Sequence, residues 1–82
     1  MLLTVELTLY PLQDDYLPIV KQVVEKLNAL ENLKVRTFPT ATVIQGDFDL
    51  VMDTVKDTIS WCYLEFGKSV FLAKYLPEYE AL

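Results

Sequence analysis

From Leu3 to Tyr10 the chain alternates, with Leu3, Val5, Leu7 and Leu9 on one side and Thr4, Glu6, Thr8 and Tyr10 on the other. A period of two is that of a strand with one buried face, and Pro11 stops it. The period then lengthens. Ile19, Val20, Val23, Val24, Leu27 and Leu30 recur three and four residues apart, with Lys21, Gln22, Glu25, Lys26 and Asn28 between them. This predicts a helix over residues 14–31, capped by Asp14 or Asp15, with Pro18 tolerated because it falls in the first turn. Leu33 to Phe38 alternates again, Pro39 marks a turn, and Thr40 to Gln45 is rich in β-branched residues up to Gly46, which together predict a hairpin. Asp47 and Asp49 offer capping oxygens and favourable charge to a second helix. Its apolar stripe is Val51, Val55, Ile59, Cys62 and Phe66, and Gly67 ends it. Ser69 to Leu76 is a last strand closed by Pro77, followed by a short tail from Glu78 to Leu82.

The predicted order is βαββαβ, two βαβ halves joined by a hairpin. That is an α+β fold of the ferredoxin-like kind: a sandwich with one antiparallel four-stranded sheet and both helices on a single face. One such domain accounts for residues 1–82.

If Leu3, Val5, Leu7 and Leu9 meet the helices, Glu6, Thr8 and Tyr10 point to the face that carries none. Thr40, Thr42 and Ile44 are expected to join them from the third strand. Ser69, Phe71, Ala73 and Tyr75 are expected there from the fourth, because Val70, Leu72 and Leu76 suit the helix side better. A face of aromatics, hydroxyls and one carboxylate fits a subunit contact or a shallow ligand site. Glu6 is a candidate acceptor, Tyr10 and Tyr75 candidate aromatic lids, and Thr40 and Thr42 candidate hydroxyls for the edge of a heterocycle. Trp61 and Met52 are expected to pack or to contact another subunit.

Composition narrows the function. A domain of 82 residues buries only about 60% of its unfolded surface, and with 52% hydrophobic residues this one has more apolar surface than it can hide. A homo-oligomer, dimer or tetramer, is expected. Seven basic against twelve acidic residues give a net charge of −5, which repels nucleic acid. No apolar run approaches the ~20 residues that span a bilayer, no basic-then-apolar leader opens the chain, and the single cysteine has no internal partner. The expected location is the cytoplasm, with no membrane partner. No histidine is present, which removes the commonest general base and metal ligand, so neither a metal nor a cofactor is expected. Cys62 reads as a buried packing residue. A phosphoryl hydrolase would need a cationic cradle, and Arg36 is the only arginine, with no glycine-rich loop beside it. The expectation is a protein that binds without catalysing.

Leu7-Thr8-Leu9-Tyr10-Pro11-Leu12, followed by Asp15-Tyr16 and Ile19, and then Thr40-Ala41-Thr42-Val43-Ile44-Gln45-Gly46-Asp47, resemble the YkoF-like thiamine-binding family over nearly the whole chain. The resemblance implies a ferredoxin-like domain, in tandem or as a single-domain oligomer. It also implies a thiamine-like small-molecule ligand, thiamine or its hydroxymethylpyrimidine moiety, bound for transport, salvage or sensing. Carried onto this sequence, it points at Tyr10, at the turn from Leu12 to Tyr16 with Gln13, Asp15 and Tyr16, and at Thr40 to Thr42. Family members often have a small residue after the Pro-Leu pair, where this chain has Gln13-Asp14-Asp15. The sequence holds one copy of the domain, so a site built between two copies would draw its second half from another subunit. The alternative reading is an oligomeric structural or regulatory module with no small ligand.

Overall fold

The computed structural model describes residues 1–82. The elements follow the predicted order: β1 (Leu2–Pro11), α1 (Leu17–Asn28), β2 (Lys34–Phe38), β3 (Ala41–Asp47), α2 (Phe48–Phe66) and β4 (Ser69–Pro77). They form one four-stranded antiparallel sheet in the order β2-β3-β1-β4, as a ferredoxin-like sandwich requires.

Leu3, Val5 and Leu7 of β1, Ile44 of β3, Ile19, Val23 and Leu27 of α1, and Val51, Val55 and Cys62 of α2 make one core. The spacing of the helix residues puts each set on a single stripe facing the sheet. Cys62 is fully buried. Ile59 is not part of the stripe. It is 42% exposed, and Thr58 is buried in its place, its hydroxyl donating to the Thr54 carbonyl at 2.7 Å. That internal bond is what lets a polar side chain sit in the core. Asp47 caps α2 as expected, its carboxylate accepting from the Leu50 amide at 3.3 Å. Gly67 ends it at φ 87°, a conformation that side-chain-bearing residues rarely adopt, while its amide donates to the Tyr63 carbonyl. Trp61 stacks edge-on against Phe66, with the Lys26 ammonium 4.7 Å from its ring, and so ties α1 to α2.

Helix α1 is shorter than its pattern. Asp14 and Asp15 stay in the preceding turn, and the cap position falls to Tyr16 with no side-chain bond, Pro18 supplying the first-turn geometry instead. At the other end Asn28 turns its amide back to the Val24 carbonyl, and Leu30 lies beyond the helix.

The strand register corrects the expected faces. Leu3, Val5 and Leu7 pair with Gly46, Ile44 and Thr42, and Val5, Leu7 and Leu9 pair with Tyr75, Ala73 and Phe71. Directly opposed residues share a face, so Thr42 and Ile44, and Ser69, Phe71, Ala73 and Tyr75, stand on the helix side. Val43 and Gln45, with Val70, Leu72, Lys74 and Leu76, stand on the open side. Thr40 is on neither, because Pro39 and Thr40 form the two-residue turn between Phe38 and Ala41. The physical reason is that β4 is an edge strand with apolar residues on both faces, so apolarity does not mark which face is covered. At Gly46 an added Cβ would meet the tip of the Leu33 side chain, which would have to shift to admit it.

On the open face the tail folds back over the sheet. Glu78, at φ 57°, turns the chain, and the Thr4 hydroxyl donates to the Tyr79 carbonyl. Gln45 accepts the Ala81 and Leu82 amides on one oxygen, at 2.6 and 2.8 Å. Thr4 and Gln45 are thereby buried although they stand on the side without helices.

Candidate functional site: a cleft at the open end of the first strand

Strand β1 has two neighbours of unequal reach. It pairs with β4 as far as Pro11↔Ser69, but with β3 only as far as Leu7↔Thr42. From Thr8 to Pro11 its inner edge has no strand partner, because the Pro39-Thr40 turn closes the hairpin before β3 can follow. A single side-chain bond spans the gap, the Thr8 hydroxyl donating to the Thr40 carbonyl at 3.1 Å. Above it, α1 turns its second apolar flank, Val20 and Val24, toward the opening.

The result is a cavity of about 570 Å³ between the end of β1, the hairpin tip and α1. Eleven of its seventeen lining residues are hydrophobic, and none is Asp, Glu, Lys or Arg. Its polar side chains belong to Thr8, Thr37, Thr40 and Thr42, with Tyr10 and Tyr16 about half exposed, and the unpaired edge of β1 adds backbone groups. A small apolar cleft with a few fixed polar groups is the usual form of a small-molecule site.

A hydrogen-bond chain runs from the exposed end of α1 through the exposed Thr37 to the buried Thr42. Asn28 donates from its amide nitrogen to the Val24 carbonyl at 2.9 Å and to the Thr37 hydroxyl at 3.0 Å. The Thr37 hydroxyl lies 3.1 Å from that of Thr42.

Thr8, Tyr10, Tyr16, Thr40 and Thr42, singled out in the sequence, all line this one cavity. Glu6, Gln13 and Asp15 do not. Glu6 is on the open face, 4.0 Å from the Lys74 ammonium in an exposed pair. Gln13 donates its side-chain amide to the Phe66 carbonyl at the end of α2, and with the Leu12 amide bonded to the Lys68 carbonyl this pins the turn before α1. Asp15 is exposed in that turn. Thr37 and Asn28 escaped the sequence reading. The signal for Thr37 was its two-residue spacing from Val35, which packs on the core. Nothing in the pattern marked Asn28.

Among solved structures, a Thermotoga maritima protein named for a proposed role in thiamine biosynthesis or salvage is 23% identical. It aligns over 99% of this chain and 86% of its own, with a TM-score of 0.82. A Streptococcus pneumoniae protein, also 23% identical, aligns over 93% of this chain and 86% of its own at 0.84. A hypothetical protein from Methanocaldococcus jannascii, again 23% identical, aligns over 99% and 84% at 0.78. These likenesses speak for the fold. No curated protein matches the sequence. The model of the YKOF-related family matches residues 3–64, most of the chain including β1, α1 and the hairpin that enclose the cleft, and the chain belongs to that family.

Proposed function

We propose that this protein binds a small aromatic heterocycle in the cleft, thiamine or its hydroxymethylpyrimidine moiety, and catalyses nothing. The observation that carries the reading is the lining: apolar, free of charged side chains, rimmed by two tyrosines and floored by threonine hydroxyls. An uncharged aminopyrimidine suits such a cavity on every count, with ring faces for the apolar walls and polar edges for the hydroxyls. Thiamine adds a thiazolium cation, which meets no carboxylate in the lining and would draw on tyrosine faces, worth about 0.5–2 kcal/mol. A diphosphate would meet no cation there, on a chain of net charge −5. The name of the Thermotoga maritima neighbour points to the same ligand class. Transport, salvage and sensing are all served by such binding.

Calorimetric titration tests this. Hydroxymethylpyrimidine and thiamine should bind, and thiamine diphosphate should bind most weakly. Absence of heat from all three at millimolar concentration would favour the oligomeric module without a ligand.

We also infer self-association, as a dimer or tetramer. The sheet has two unlike edges. At one, β2 is five residues long, carries Lys34 and Arg36 and ends at Phe38, before Pro39. At the other, β4 is nine residues long, with Val70, Leu72 and Tyr75 exposed. Short basic edges resist pairing and long apolar ones invite it. No helix is long and apolar enough to cross a membrane. Light-scattering mass across a dilution series should exceed that of one chain, and a monomer at all concentrations would refute it.

A further inference from the structure

We propose that the cavity floor is a hydrogen-bond donor of fixed polarity, oriented by Asn28 through Thr37 and presented by Thr42. A ligand must then turn an unprotonated acceptor, a pyridine-type ring nitrogen or a carbonyl oxygen, toward Thr42. This rests on the reading of the cleft as a ligand site and adds to it which edge of the ligand faces inward.

The polarity follows from counting protons. The Val24 carbonyl can only accept, so the Asn28 atom 2.9 Å from it is the amide nitrogen. The second hydrogen of that nitrogen is directed to the Thr37 oxygen at 3.0 Å. Between Thr37 and Thr42, at 3.1 Å, one hydroxyl proton fills the gap and the other is left over. The distance allows either hydroxyl to donate; because an oxygen that already accepts a hydrogen bond is the better donor, we assign the shared proton to Thr37 and the spare one to Thr42. Thr42 is 5% exposed and lines the cavity. A bound ligand therefore shuts water away from this proton. A C–H or N–H placed against it leaves a buried donor without a partner.

The other hydroxyls around the cavity do not impose this condition. Thr8 already donates to the Thr40 carbonyl, Tyr10 and Tyr16 sit half exposed and Thr40 is exposed in its turn, where water can serve them. Asn28 is thus a positioning residue, acting through Thr37 without touching the cavity.

The test titrates the full chain with two probes, hydroxymethylpyrimidine and the benzene counterpart in which both ring nitrogens are C–H. Wild type should bind the pyrimidine roughly three- to tenfold more tightly than the benzene, the range of one hydrogen bond. Thr42→Val, which keeps the shape, should bring the two probes to parity. Asn28→Leu, at the exposed end of α1, should shrink the preference without abolishing it, a change that loss of helix stability alone would not cause. Thermal melting establishes that each variant folds, and should Thr42→Val fail to, Asn28→Leu decides. Equal affinity of wild type for the two probes overturns the proposal while leaving the ligand site intact. A full preference retained by Thr42→Val, or by Asn28→Leu where Thr42→Val does not fold, also overturns it. If neither probe binds at millimolar concentration, the ligand-site reading itself falls and takes the proposal with it.

Discussion

The two halves of β1 do different work with similar residues. From Leu3 to Leu7 the strand is paired on both edges, covered by helices on one face and partly by the tail on the other. From Thr8 to Pro11 it is paired on one edge, and its free side opens into the cleft. The first half places Leu3, Val5 and Leu7 in the core; the second leaves Leu9 half-buried and Tyr10 53% exposed. The alternation of apolar and polar positions runs through both without a break. What separates them is that the hairpin turns before β3 can match the length of β1.

This difference can be broken at either end. The largest effect is expected from Leu3→Ala in the sealed half, a loss of about 2–5 kcal/mol as a buried leucine is removed from a close-packed site. Denaturant midpoints read it directly. In the open half, Tyr10→Ala should change the stability of the free protein by less than about 0.5 kcal/mol, since no core contact goes with it. Its effect appears with ligand present. Thiamine at one hundred times its dissociation constant adds about 2.7 kcal/mol to wild type, and at roughly 4–8 °C per kcal/mol the melting point should rise by about 10 °C or more. Tyr10→Ala should lose that rise.

Gln45→Ala should cost about 1–2 kcal/mol, because the Ala81 and Leu82 amides lose their shared acceptor. Faster amide exchange confined to residues 79–82 would locate the loss in the tail. The smallest effect is expected from Glu6→Gln, which removes an exposed pair with Lys74 worth a few tenths of a kcal/mol. Ligand affinity should not change, as Glu6 lies outside the lining. A marked loss of affinity in this variant would mean that the site extends onto the open face.

The sequence carried the elements and their order because each depends on neighbours in the chain: the alternation of Leu3 to Leu9, the Asp47 cap, the Gly67 stop. It misplaced the faces of β3 and β4. Their phase is decided by partners across the sheet, and β4 offers apolar residues at both parities. The pattern sets Thr42 on the face away from the helices, and the family resemblance points to it independently. It reaches the cavity from the helix side. Asn28 is one more polar residue at a helix end until Thr37 is brought beside it from β2. The cleft itself is a mismatch in pairing length between two interfaces of one strand, a quantity no local pattern contains.

Cys62 gives the molecule an internal clock. Its sulfur is fully buried beneath α2, 3.9 Å from the Ser69 hydroxyl, and it is the only thiol in the chain. An alkylating reagent can reach it only when α2 lifts from the sheet, so the labelling rate under native conditions measures how often that happens. Ligand bound in the cleft lies against α1 and the end of β1, away from α2. The extent to which it slows the labelling therefore tells whether the domain opens as one unit or whether α2 detaches on its own.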